Sequence, residues 1–92
     1  MSPAYRVQLT AAARRDVARL PPDMRRRIAD QIDALAGSPR PRGSRMLAGR
    51  SGDLRVRVGD YRIVYEVDDH HMLVRVKLVA HRRDAYRRLR DR

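Results

Sequence analysis

The stretch that decides the fold is Asp53-Leu-Arg-Val-Arg-Val-Gly-Asp-Tyr-Arg-Ile-Val-Tyr-Glu-Val67. Apolar and polar residues alternate with a period of two on both sides of Gly59-Asp60, as they do in half-buried β-strands. Glycine supplies the positive φ that a two-residue hairpin loop requires, so we predict two antiparallel strands joined at this dipeptide. The turn fixes the register of the hairpin and places Arg57 directly opposite Arg62.

This register gives the hairpin two unlike faces. One face is apolar and contains Leu54, Val56, Val58, Tyr61, Ile63 and Tyr65. The other face carries Arg55, Arg57 and Arg62. Like charges that lie opposite each other on paired strands repel and cost stability, so we infer that this face binds an anion. The alternative interpretation is a solvated basic face that only raises solubility.

The composition describes a small and strongly basic chain. Its 92 residues suffice for one domain but not for two, so we predict a single domain over 1–92. The formal net charge of +11 favours a polyanionic partner such as nucleic acid or an acidic protein. There is no cysteine, no apolar run approaches the roughly 18 residues of a membrane span, and the N-terminus lacks a signal-peptide pattern. We therefore expect a cytoplasmic, soluble protein that has no membrane partner, no cofactor and no metal.

The first part of the chain predicts a strand followed by a helical hairpin. Residues 4–9 alternate like a strand, and Thr10 is a good N-cap for a helix that runs to about Leu20. Pro22 suits the first position of a second helix. The apolar stripe of that helix contains Met24, Ile28, Ile32 and Leu35. Both helices need a sheet to cover their apolar faces.

The segments that flank the central hairpin are polar. Residues 38–45 form a loop rich in proline, arginine and glycine, and we expect Arg45 at its end to bind substrate. Residues 46–49 fit either a short strand or a loop. The sequence Asp68-Asp69-His70-His71 predicts a tight loop into a strand over 72–79. Adjacent residues of a tight turn cannot all point at one ion, so we expect no metal site there.

That second loop also suggests a register for the third strand, in which Val67 pairs with Met72. The polar face then carries a row of cations, Arg57–Arg62–Lys77, with Arg55 and Arg75 one step away. Glu66 is the only acid that we expect among them. Guanidinium groups on a rigid sheet suit phosphate binding and can stabilise the extra negative charge of a phosphorane-like transition state.

The end of the chain offers groups that can move a proton. Residues 81–90 predict a short helical turn on which Arg82 and Tyr86 share a face. A tyrosine close to several arginines can serve as a general base, because the cations favour its anion. Histidine changes charge near neutral pH, so His81 can donate or accept a proton. The alternatives are an ordinary, partly exposed tyrosine and a histidine at a strand end that faces water.

Two segments resemble a known family. The hairpin, with Tyr61-Arg-Ile-Val-Tyr65 at its centre, resembles that of RelE-type toxins, and Val79-Ala-His-Arg-Arg-Asp-Ala-Tyr86 resembles their C-terminal signature. The whole chain is similar in its order of elements to the RelE/ParE superfamily of bacterial toxins. The implied fold class is α+β: an N-terminal strand, a helical hairpin, a mainly antiparallel sheet of three to four strands, and a short C-terminal helix.

The resemblance implies the toxin of a type II toxin–antitoxin system. RelE-type toxins are endoribonucleases that cut mRNA in the ribosomal A site and are held inactive by a cognate antitoxin. We expect that antitoxin to be acidic and RelB-like, and to form a hetero-oligomer with the toxin. The implied catalytic residues are Arg55, Arg57, Arg62, Arg82 and Tyr86, to which we add His81 as a proton donor. Arginine stands at 55 and 57 where the family has lysine.

Lys77, Arg75 and Arg45 are expected to bind substrate rather than to take part in the chemistry. Two alternative interpretations of the whole pattern remain. A ParE-like inhibitor of DNA gyrase shares the fold, lacks the catalytic residues and binds a protein target. A basic module that only binds a partner or nucleic acid is the second alternative.

Overall fold

The chain folds as one mixed sheet with two helices packed on one face and a third helix on the other. A computed structural model describes residues 4–47 and 52–90, without the side chains of residues 86, 89 and 90. In chain order the elements are β1 (Arg6–Leu9), α1 (Ala11–Ala18), α2 (Pro22–Leu35), β2 (Arg45–Met46), β3 (Asp53–Val58), β4 (Tyr61–Asp68), β5 (Leu73–His81) and α3 (Arg82–Arg90). The strand order is β1-β5-β4-β3-β2, with β1 parallel to β5 and the other neighbours antiparallel. The predicted α+β fold is confirmed.

The two helices that precede the central hairpin form as the sequence predicts. The Thr10 hydroxyl accepts a hydrogen bond from the Ala13 N–H at 3.1 Å and so caps α1. On α2 the buried stripe contains Ile28, Ile32 and Leu35. Fully burying one such side chain contributes about 1.5–3 kcal/mol. This stripe packs on the apolar face of the sheet and forms the main core.

The central hairpin has the predicted register. Arg57 lies opposite Arg62, and Val58 lies opposite Tyr61. Gly59 has a φ of 59° in the turn, a conformation that side chains with a Cβ rarely adopt. The residues on its apolar face pack in the main core, with Tyr65 completely buried.

The predicted register between β4 and β5 was wrong. Arg62 lies opposite Ala80, not opposite Lys77, and Glu66 lies opposite Arg75. Met72 has a φ of 53° and belongs to the turn, so β5 begins one residue later than predicted. A β-bulge between Val64 and Tyr65 then shifts the pairing again. The row of three cations across the sheet therefore does not form.

The sheet face opposite α1 and α2, which we call the outer face, has an apolar centre. A second buried cluster there contains Leu47, Val64, Leu78, Ala80 and Ala85. Ala85 belongs to α3, so this helix covers the centre of the outer face. The alternation of apolar and polar residues in the hairpin had predicted that this face is polar. Of the strand or loop expected over 46–49, Met46 belongs to β2 (Arg45–Met46), and residues 48 and 49 lie in the gap 48–51 outside the described part of the chain.

None of the three helices in the described part of the chain has both the length and the apolar character that crossing a membrane requires.

Candidate functional site

Cationic residues from three elements meet at the turn of the central hairpin. Arg57 and Arg62 are cross-strand neighbours on β3 and β4, a relationship that places Cβ atoms about 5 Å apart. The N–H of Arg82 donates a hydrogen bond to the carbonyl of Asp60 at 2.7 Å, so α3 begins beside the turn. The structure thus brings Arg82 to the two predicted hairpin arginines, although the third strand supplies Ala80 instead of a cation.

A cleft of about 320 Å³ lies beside β3 and carries a concentration of positive charge. Four arginines line it, Arg42, Arg45, Arg55 and Arg57, together with Gln31, Pro41, Gly43 and Val56. Because the two residues of β2 pair only with Leu54 and Arg55, the edge of β3 beyond them faces the cleft. Arg45 is the direct cross-strand neighbour of Arg55, so two like charges are opposed here as well.

Arg55 is the most unusual of these four residues, because it is only 8% exposed. Within the described part of the chain, no carboxylate forms an ion pair with any of the four arginines of the cleft. A charge that is removed from water costs free energy unless an opposite charge or hydrogen bonds compensate it. The arrangement is therefore suited to take up an anion, and a phosphate group matches the planar donor geometry of arginine.

The far end of the outer face has balanced charge instead. The Lys77 ammonium lies 2.7 Å from Asp53 Oδ1 and 3.4 Å from Glu66 Oε2. Arg75 donates to Glu66 Oε1 at 2.9 Å. Lys77 and Arg75 are thus held by carboxylates, and their assignment as substrate-binding residues stays a prediction. Glu66 is not the only acid on this face, since Asp53, 1% exposed, is also there; its spacing of two from Arg55 already indicated this.

His81 lies at the junction between β5 and α3 and caps the helix. Its Nδ1 accepts a hydrogen bond from the N–H of Arg83 at 3.3 Å, and its ring meets that of Tyr61 edge-on at 5.6 Å. A backbone N–H can only donate, so Nδ1 carries no proton in this arrangement. To act as an acid, His81 must take up a second proton on Nδ1 and lose this cap. Its role as proton donor stays a prediction.

Tyr86 belongs to α3, four residues after Arg82, as the sequence predicts. That spacing places two residues on the same helical face. The side chain of Tyr86 lies outside the described residues. The proposed contact of its hydroxyl with a substrate therefore stays a prediction.

Arg42 is the cleft residue that the sequence analysis missed. Its signal was the basic composition of the loop 38–45, which is held in place from two sides. The Tyr65 hydroxyl donates to the carbonyl of Pro39 at 2.8 Å, and burial raises the pKa of Tyr65. Arg40 forms two hydrogen bonds with Asp69, at 3.0 and 3.2 Å. These contacts, and then the hydrogen bond from Tyr5, lower the pKa of Asp69.

Comparisons with known proteins agree with the predicted family and fold. Residues 7–86 match a family model described as the ParE toxin of the type II toxin–antitoxin system parDE. The chain is 35% identical over 85 residues to Toxin RelG of Mycobacterium tuberculosis, an alignment that covers 91% of this chain and 98% of that protein.

Solved structures of toxin–antitoxin complexes have a similar fold. One is the RelBE2 complex from Mycobacterium tuberculosis, with a TM-score of 0.75 and 33% identity over 85% of this chain and 98% of that chain. Another is the archaeal RelE–RelB complex from Pyrococcus horikoshii OT3, with a TM-score of 0.76 and 27% identity over 86% of this chain and 96% of that chain.

Proposed function

This chain belongs to the RelE/ParE superfamily of type II toxins, and we propose that within it the chain is a ribosome-dependent endoribonuclease that cleaves mRNA. The observation that carries the proposal is the cleft beside β3. It is lined by four arginines that have no ion-pair partner among the described residues, and one of them is buried. An RNA strand offers successive phosphates to such a surface, and its 2′-hydroxyl supplies the nucleophile for cleavage.

The proposed reaction is an attack of the ribose 2′-oxygen on the adjacent phosphorus. The bond from phosphorus to the 5′-oxygen breaks, which leaves a 2′,3′-cyclic phosphate on one fragment and a 5′-hydroxyl on the other. Tyr86 removes the 2′-proton, and His81 or, by analogy with the family, Arg82 protonates the leaving 5′-oxygen. The residues that hold the phosphate and offset its added charge are Arg55, Arg57, Arg62 and Arg82. Removing one such donor typically costs about 10²- to 10³-fold in rate.

The proposed partners follow from charge and from the relatives. The net charge of +11 suits both RNA and an acidic antitoxin. Since solved relatives are RelBE2 and RelE–RelB complexes, we propose a RelB-like antitoxin that forms a hetero-oligomer with this toxin. The proposed substrate is mRNA in the ribosomal A site, which places the toxin in the cytoplasm. Contact of a basic toxin with an acidic antitoxin should weaken as salt is added.

A second candidate is a ParE-like inhibitor of DNA gyrase without nuclease activity. The description of the matching family model as a ParE toxin favours it. A gyrase inhibitor does not require a cationic cleft beside the hairpin, so the four arginines of the cleft favour the nuclease over the inhibitor.

One experiment separates these functions. The 5′ ends of mRNA are mapped by primer extension after the protein is added to a translation mixture with ribosomes and to naked mRNA, while gyrase supercoiling is assayed in parallel. We expect new ends only with ribosomes and no change in supercoiling. Inhibited supercoiling without new ends would establish the gyrase inhibitor instead, and RNA binding without any cleavage would leave only a binding module.

Two double variants that lose the same amount of positive charge serve as the test and its control. Arg57→Ala with Arg62→Ala removes two arginines from the site, whereas Arg14→Ala with Arg26→Ala removes two exposed arginines from α1 and α2. Only the first pair should abolish the new ends. Equal loss of activity in both pairs would mean that overall charge, not the site, is responsible.

A further inference from the structure

One carboxylate joins three elements on the side of the molecule next to α3. Asp16 of α1 accepts a hydrogen bond from the N–H of Val79 through Oδ2, at 3.0 Å. Its other oxygen, Oδ1, accepts from the guanidinium of Arg88 on α3 at 2.9 Å. The Asp16 side chain is only 9% exposed, whereas the Arg88 side chain is 35% exposed.

The topology of the sheet explains why a helix supplies this carboxylate. β1 pairs with β5 only as far as Val76, so the edge of β5 beyond it lacks a neighbouring strand on that side. α1 takes the place of the missing strand. The Thr10 hydroxyl donates to the carbonyl of Lys77 at 2.9 Å, and Asp16 accepts from Val79. The position of Asp16 on the body of the protein is therefore fixed by contacts that do not involve Arg88.

Besides the cap that His81 gives it, three contacts between described residues attach α3 to the body. Its start is held by the bond from the Arg82 N–H to Asp60, and Ala85 packs in the apolar centre of the outer face. Arg88 supplies the third attachment. Among the described side chains, its ion pair with Asp16 is the only one that joins α3 to another element, since Arg87 pairs with Asp84 inside the same helix.

We propose that Asp16 is a positioning residue that, through Arg88, sets the direction of α3 over the hairpin. The inference rests on the proposed ribonuclease function, because α3 carries Arg82 and Tyr86. Arg88 lies six residues after Arg82, which is about 9 Å along a helix axis. Without this attachment the distal part of α3 can tilt about its first turn, and Tyr86 moves away from the phosphate held by the hairpin. Misplacement of a catalytic group by 1 Å can cost about 100-fold in rate.

The test compares neighbouring arginines of α3. Arg88→Gln removes the attachment, whereas Arg87→Gln removes the same charge from a residue whose ion pair among the described side chains, with Asp84, lies inside the helix. Asp16→Asn removes the charge from the other side and keeps an oxygen for the Val79 N–H. Arg88→Lys restores a cation. Hydrogen exchange of the α3 amides is measured in the free protein, and steady-state, multiple-turnover cleavage of ribosome-bound mRNA gives kcat and KM.

We expect Arg88→Gln and Asp16→Asn to speed the exchange of α3 amides about tenfold, as local opening does, while the β4 amides stay protected. Both should lower kcat about tenfold or more and change KM little, since phosphate binding by the hairpin is intact. The double variant should be no worse than either single one. Arg88→Lys should recover part of kcat, and Arg87→Gln should match the wild type.

Unchanged exchange of α3 in both Arg88→Gln and Asp16→Asn would overturn the inference, and so would strictly additive effects of the two changes. A wild-type protein that cuts no RNA would contradict the proposed function instead. In that case the exchange measurement still decides whether Asp16 holds α3.

Discussion

The main-chain N–H of Arg82 and the main-chain carbonyl of Asp60 lie 2.7 Å apart in a hydrogen bond that ties the start of α3 to the turn of the hairpin. The two residues belong to segments that are distant in the sequence. Their contact brings the C-terminal arginine to the end of the sheet where Arg57 and Arg62 are paired.

Arg57→Gln should trade stability against activity. Removing one of two opposed like charges should raise the free energy of unfolding, measured by urea titration, by a few tenths of a kcal/mol. Single-turnover cleavage should fall about 100-fold, because one donor to the phosphate is lost. Arg26→Gln, an exposed position on α2, controls for charge. A fully active Arg57→Gln variant would remove Arg57 from the proposed site.

Arg55→Met should stabilise the free protein by about 1 kcal/mol, because methionine fills a similar volume without burying a charge. Added inorganic phosphate should raise the thermal midpoint of the wild type more than that of the variant, since ligand binding to the folded state adds stability. Differential scanning fluorimetry at fixed ionic strength measures both effects. If phosphate raised both midpoints equally, the cleft would not be the anion site.

Lys77→Met should damage folding and leave the site intact. The change removes the ammonium that lies 2.7 Å from the buried Asp53 carboxylate, and breaking a buried pair costs about 3 kcal/mol. Arg75→Met breaks a more exposed pair and should cost less than about 1 kcal/mol. Cleavage per folded molecule should be unchanged in both variants. A lower affinity for RNA would instead support the substrate-binding role predicted for Lys77 and Arg75.

His81→Asn separates two roles of one side chain. Asparagine is a good helix cap, so it can replace the bond from Nδ1 to the Arg83 N–H. It cannot donate a proton at neutral pH, so cleavage should fall by about 10²-fold if His81 is the general acid. Circular dichroism checks that α3 persists. Full cleavage by this variant would show that His81 only caps α3 and does not donate the proton. The Tyr86→Phe variant tests the proposed general base separately.

Asp69 should make stability depend on acid pH. Its contacts with Arg40 and Tyr5 lower its folded-state pKa, so they contribute stability above the unfolded pKa, which is near 3.9 for an ordinary aspartate. That contribution is lost as the pH falls through the lowered folded-state value. Urea unfolding of the wild type and Asp69→Asn should therefore differ at pH 6 and converge as the pH falls below about 4. A difference that persists unchanged in acid would contradict this assignment.

The central hairpin was predictable because its information is local. Gly59 has the positive φ that the turn needs, and a two-residue loop leaves a single register for the strands beside it. The capped start of α1 and the apolar stripe of α2 are equally local features. They depend on spacings of three and four residues, which the sequence displays directly.

The pairing of β4 with β5 was not predictable in the same way. The positive φ of Met72 and the bulge at Val64 and Tyr65 depend on what packs around them, and no turn residue such as glycine marks either. Alternation gives the face of a residue but not its burial. That is why Arg55 was correctly placed on the outer face while its burial beside Arg45 went unforeseen.

The outer face is electrically polarised along its strands. Within the described part of the chain, the cleft arginines without ion-pair partners lie toward the hairpin turn, while Lys77 and Arg75 are matched by carboxylates at the opposite end. In the field of a polyanion such a distribution produces a torque in addition to an attraction. The protein should rotate its hairpin turn toward RNA before contact, at separations up to the Debye length of about 8 Å at physiological salt. Added salt should therefore lower the fraction of encounters that begin in a productive orientation as well as their number.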